Sequence, residues 1–248
     1  MTASSDLLVR SARPGGGPPL SIVPYEETRR RERRSLDRTR VVGAALALMD
    51  EVGLDGLTMR RLADQLGVTA ASLYRHVRDK DELLVLLADE VAGQVPMVAD
   101  GVPWQRALSD MAFGYRRVLL AHRDAARLLA STPPAGPRRL RHIEAILRVL
   151  LAAGFGGRDA AWGAYHFNNL VTEFVADEVR LATAADALGA SRGELMAQAR
   201  AQLRALPAAE FPSLTRVAED VATDDAEGLF EFGLRLWLRG LGPLGPTR

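Results

Sequence analysis

Residues Leu57 to Lys80 read LTMRRLADQLGVTAASLYRHVRDK, and their spacing predicts two short helices joined by a turn. Thr58 can cap the first helix, in which Met59, Leu62, Ala63 and Leu66 face one way. Gly67 stands where a helix C-terminus wants a left-handed residue. Thr69 can cap the second helix, which carries Leu73, Tyr74 and Val77. Ala63 is small where the two helices must cross closely, and Leu62, Leu66, Val68 and Leu73 can form a miniature core. This is the layout of a helix-turn-helix unit, whose second helix enters the DNA major groove. A helix fits that groove, its N-terminal amides favour phosphate, and its outward side chains reach base edges.

The flanks extend the helical reading. Upstream, Val41, Ala45, Leu48, Met49 and Val52 fall on one face of a helix that Gly53 should stop, with a turn at Asp55-Gly56. Downstream, Asp79 can cap a fourth helix over 80–95, and Glu82 completes a capping-box spacing. Leu83, Leu84, Leu87 and Val91 form its apolar stripe. After a break at Pro96 to Pro103, helices are expected near 104–122, 124–132, 137–154, 158–182, 192–206 and 224–241. A loop is expected from Thr183 to Arg192, and a weak helix at 213–222. No segment alternates at period two, so an all-α fold is predicted, with residues 37–95 as one domain and 96–242 as another.

Composition sets the outer limits. The 248 residues carry 48% hydrophobic and 25% charged side chains and a formal net charge of +1, which are ordinary globular values. The absence of cysteine excludes disulfides, thiolate metal sites and cysteine nucleophiles. No apolar run approaches the roughly 20 residues of a spanning helix, and no export signal is visible, so a cytoplasmic location is expected. Residues 1–36 are rich in Pro and Gly and read as a disordered tail that ends basic, with Arg29, Arg30, Arg31, Arg33 and Arg34. Residues 243–248 read as a second, short tail.

Over about residues 38–95 the chain closely resembles the DNA-binding domain of the tetracycline-repressor (TetR) family of bacterial transcriptional regulators. The core of the likeness is LTMRRLADQLGV followed by SLYRHVRDKDELL. Trp104 to Asp124 and Leu229 to Gly242 resemble, more loosely, the regulatory half of the tetracycline-responsive members. The resemblance implies roles residue by residue. Thr58 and Arg60 match positions that contact phosphate or base, and Thr69, Ala70, Ala71 and Ser72 match the start of the recognition helix. Tyr74, Arg75 and His76 match its DNA-facing side, and Lys80 matches a lysine that grips the backbone. Ala70 and Met59 depart from the tetracycline-responsive pattern, where a base-reading amide and a threonine stand. An alanine can touch a thymine methyl but makes no bidentate bond to a base, so a different operator is expected.

The resemblance also implies a homodimer formed through the helices at 158–182 and 224–241, which places two recognition helices about 34–36 Å apart on a palindromic operator. It implies a small-molecule pocket in the second domain. Pro96, Met111 and Leu129 occupy places where the tetracycline-responsive members carry two histidines and an asparagine, so a less polar, metal-free ligand is expected rather than a magnesium–tetracycline chelate. Tyr115, Ile143, Ile146, Leu147, Trp162 and Tyr165 are candidate lining residues, with Thr132, His166 and Asn169 as polar handles. An enzyme is disfavoured. The four histidines, His76, His122, His142 and His166, form no His-x-x-x-His pair, and His122 with Asp124 and His142 with Glu144 are two apart and so do not share a helix face. No metal or cofactor is expected. A DNA-binding protein whose second half serves only dimerisation is the remaining competitor.

Overall fold

The computed structural model describes residues 36–99 and 101–245. The basic tail read from residues 1–36 lies outside them except for Leu36, as do the last three residues. Every regular element among the described residues is helical. The first four helices are α1 (Arg38–Gly56), α2 (Met59–Leu66), α3 (Ala70–Leu73) and α4 (Lys80–Ala92). They are followed by α5 (Trp104–Ala121), α6 (Ala125–Ser131), α7 (Pro137–Ala152), α8 (Gly157–Ala187), α9 (Arg192–Arg204), α10 (Pro212–Arg216), α11 (Ala218–Val221) and α12 (Ala226–Leu241).

Side-chain caps set the first four helices. Asp37 accepts from the Arg40 amide at 2.7 Å, Thr58 from Arg61 at 3.2 Å, Thr69 from Ser72 at 3.3 Å and Asp79 from Glu82 at 2.7 Å. Gly67 ends α2 at φ 66°, which costs a residue without Cβ nothing. Gly53 interrupts α1 at φ 76°, and helical hydrogen bonding resumes for a last turn to Gly56. Val41, Ala45, Leu48 and Met49 of α1, Leu62 and Ala63 of α2, Leu73 of α3 and Leu83, Leu87 and Val91 of α4 are buried together. Each of the large ones contributes about 1.5–3 kcal/mol of burial.

Four expectations need correction. The recognition helix is shorter than its pattern suggested: α3 covers four residues, Tyr74 is its C-cap, and Val77 is buried from the segment that follows. The fourth helix stops at Ala92 rather than 95, with Gly93 as its cap. The loop expected from Thr183 is instead the last turn of α8, a 31-residue helix. Ala182, Ala184, Ala185 and Ala187 are strong helix formers there, Ala185 is buried, and the Thr183 hydroxyl donates to the Val179 carbonyl at 2.9 Å. Glu82 also departs from a true capping box, because its carboxylate accepts from the Arg78 amide at 2.6 Å rather than from that of Asp79.

α8 is the axis of the later helices, with α5, α6, α7 and α12 packed on it. Phe167, Val171 and Val175 of α8 and Phe230 and Leu234 of α12 are buried. The Phe230 ring meets Phe113 edge-on at 5.2 Å and Phe174 at 5.1 Å. The Arg116 guanidinium lies 5.4 Å from that ring and pairs with both Glu178 oxygens at 2.7–3.0 Å. α4 packs on α1 at one side and on α5, α6 and α7 at the other.

Candidate DNA-reading face and ligand cavity

The candidate DNA-reading face is built from α2, α3 and the start of α4. Thr58, Arg60, Thr69, Ala70, Ala71, Tyr74 and Arg75 are exposed there, and Ser72, His76 and Lys80 are half-buried. Tyr74 is 51% exposed, so its ring is not part of the small core. Thr69 and Ser72 lock the start of α3 together, with their hydroxyls 3.0 Å apart and Arg75 donating to Ser72 at 3.4 Å. Arg38 ties this face to α1: its Nε donates to the His76 carbonyl at 3.1 Å and its Nη2 to Glu82 at 2.9 Å. Hydrogen bonds from Arg78 hold the Glu82 carboxyl below the usual carboxylate range. Arg61 turns away and donates to the Gly56 carbonyl at 3.0 Å. The outward surface is therefore cationic and hydroxyl-bearing, as phosphate and base-edge contact requires.

A cavity of about 630 Å³ lies between α5, α6, α7 and α8. Seven of the candidate ligand residues, Tyr115, Leu129, Thr132, Ile143, Leu147, Tyr165 and Asn169, line it. Four do not. Met111 and Ile146 are packed in the core, at 1% and 0% exposure, while Trp162 and His166 lie exposed on the outer side of α8. Arg139, Asn168, Thr172 and Glu173 also line the wall and carry polar groups that the apolar pattern gave no reason to pick. Arg139 donates from Nη1 to the Thr132 carbonyl and hydroxyl, both at 2.9 Å, and from Nη2 to the Leu129 carbonyl at 2.6 Å. Burial lowers its pKa and raises that of Tyr115. His142 is buried behind this wall with its ring 4.7 Å from that of Tyr115, and its Nε2 has no hydrogen-bond partner. Burial holds its pKa down at about 4, although a hydrogen bond with Asn168 acts the other way.

Two polar clusters connect the cavity helices to the reading face. Asp89 of α4 places one carboxylate oxygen 2.8 Å from the amides of both Arg138 and Arg139, so it caps the N-terminus of α7. Gly136 makes room for it: a Cβ there would stand 2.1 Å from the Asp89 carboxylate. Glu90 pairs with Arg138 beside it. At the other cluster, His122 bridges Asp50 of α1 at 2.9 Å and Gln94 at 3.0 Å. Asp124 accepts from the Leu54 amide at 2.8 Å, and Arg127 pairs with Asp55 at 2.7 Å. His122 and Asp124 thus serve a contact with α1. Among the described residues no group of three or more His, Asp or Glu side chains could hold a metal ion. No helix among them is long and apolar enough to cross a membrane.

A short exposed recognition helix, joined by one shared helix to a bundle with a cavity, defines a helix-turn-helix transcriptional regulator. The chain belongs to the TetR family: residues 41–87 match the model of bacterial regulatory proteins of the tetR family, and residues 96–243 match that of the tetracyclin repressor-like C-terminal domain. It is 35% identical over 211 residues to the class C tetracycline repressor protein of Escherichia coli, covering 83% of this chain and 90% of that protein. It is 37% identical over 181 residues to an HTH-type transcriptional regulator of Saccharopolyspora erythraea, covering 72% and 75%. Among solved structures, the Streptomyces coelicolor TetR family protein ActR in complex with actinorhodin superposes with a TM-score of 0.78 at 33% identity, covering 86% of this chain and 98% of that one.

Proposed function

We propose that the protein is a ligand-responsive repressor that binds a palindromic operator as a homodimer and releases it when a small, mainly apolar molecule other than a magnesium–tetracycline chelate enters the cavity. Thr58, Arg60, Thr69 to Ser72, Tyr74, Arg75, His76 and Lys80 are the DNA contacts in this reading. The observation that carries it is the position of α4. One end holds Lys80 beside the recognition helix, and near the other end Asp89 grips the N-terminus of a helix that lines the cavity. A ligand that fits one placement of α7 better than another biases α4, and with it the spacing of two recognition helices.

The dimer reading rests on an apolar face. Trp162 and Tyr165 of α8 are 63% and 64% exposed, and Leu229, Phe232 and Leu236 of α12 are about half exposed. These two helices pack side by side. Exposed apolar side chains on two adjacent helices favour an association surface, and a twofold axis would pair it with itself. The ligand reading rests on the volume, which suits a drug-sized molecule, and on the ActR relative, solved with actinorhodin.

Release is the test. A duplex selected by the protein is held on it at fixed salt while a panel of aromatic compounds, actinorhodin and magnesium–tetracycline included, is titrated. At least one non-tetracycline compound should release the wild-type protein and fail on Ile143→Trp, which fills the cavity. No release by any compound, or equal release of the filled variant, would contradict the sensor role.

A further inference from the structure

We propose that the cavity takes a ligand carrying an anionic group, a carboxylate, sulfonate or ionised phenol, which pairs with the Arg139 guanidinium. This rests on the cavity being the effector site and adds the chemistry of the effector. Arg139 enters the wall from the first turn of α7, with its own amide fixed by Asp89. Every acceptor that its guanidinium meets is neutral: the Thr132 carbonyl and hydroxyl and the Leu129 and Pro133 carbonyls. No carboxylate among the described residues forms an ion pair with it. The half-buried Arg116 is treated differently and is matched by both oxygens of Glu178. The Asp89 carboxylate on its amide acts on the guanidinium only through space. A partly desolvated cation with no carboxylate paired to it is costly to hold, and an anion brought by the ligand relieves that cost.

The remaining wall suits such a ligand. Asn168, Asn169 and Thr172 supply further polar groups, and Tyr115, Ile143 and Leu147 offer aromatic and aliphatic surface to a ring system. Glu173, the one carboxylate on the wall, is exposed and makes no ion pair with Arg139. Arg139 also caps the last carbonyls of α6, and charge selectivity separates a ligand partner from a helix cap.

The experiment compares two fluorescent probes on the full-length protein. They are 8-anilinonaphthalene-1-sulfonate and N-phenyl-1-naphthylamine, the same ring system without the sulfonate. Wild-type protein should prefer the sulfonate roughly tenfold, the size of one charge-assisted contact. The preference should shrink as sodium chloride rises. Arg139→Gln should abolish the preference and leave the neutral probe bound as before, while Ile143→Trp should exclude both probes. If Arg139→Gln fails to fold, the salt series on the wild-type protein decides. Equal affinity of the two probes for the wild type, a preference that salt does not change, or a preference that survives in folded Arg139→Gln overturns the anion proposal alone. Binding of neither probe, or binding that Ile143→Trp does not touch, removes the cavity as a ligand site and overturns the reading beneath it.

Discussion

In the proposed reading Lys80 and Tyr74 contact phosphates, and such contacts carry no sequence information. Lys80→Ala should therefore weaken selected and random duplexes alike and lower the salt dependence of binding by about one unit of slope. Tyr74→Phe should act in the same uniform way. Thr69 differs, because its hydroxyl both opens α3 and lies at the start of the recognition helix. Thr69→Ala should alter base preference and cost about 1 kcal/mol of cap, whereas Thr69→Ser keeps the cap. Anisotropy titrations on both duplexes separate these effects. At His142 the outcome concerns pH. Burial keeps its folded pKa at about 4 against 6.5 when unfolded, so between those values the unfolded chain binds the extra proton. Stability is full above about pH 6.5 and is lost as pH falls toward 4, by up to about 3 kcal/mol. Urea unfolding at pH 5 and 8 should show that loss in the wild type and a smaller one in His142→Leu.

At the scale of elements, the motif was legible because it is local. Caps at Thr58, Thr69 and Asp79 and the left-handed Gly67 are decided within a few residues of the chain, and each stands in the structure. The length of α3 was not legible, since the apolar spacing of Leu73 and Val77 suits a helix and a tight turn equally. The α4–α7 junction was also hidden. It joins Asp89 to amides 49 and 50 residues away, and neither an aspartate inside a helix nor Gly136 announces a partner at that distance. The junction makes a sharp prediction. Asp89→Asn should cost about 1–2 kcal/mol through the weakened cap, and Gly136→Ala should cost more, because its Cβ has no space beside Asp89. Denaturant midpoints measure both. If α4 transmits the ligand signal, both variants should also reduce ligand-driven release from DNA more than they reduce DNA binding itself.

For the whole molecule, the all-α class and the run of helices followed from periodicity. The cavity wall followed only in part, because an apolar stripe does not say which of its residues face a void and which face neighbours. Ile143 and Ile146 show this: one lines the cavity and the other is sealed in the core. The outer face of α8 and α12 has the opposite character, with Trp162, Phe232 and Leu236 left to water in a single chain. Phe232→Glu should place a charge in the centre of that face and give monomers in sedimentation, with DNA affinity falling as two half-sites are no longer held together. The measurement that bears most directly on the whole account is selection of bound duplexes from a random DNA pool at stated salt. The account predicts enrichment of one palindrome whose half-sites are a helical turn or its multiple apart. Retention of unrelated sequences through salt-sensitive binding alone would contradict it.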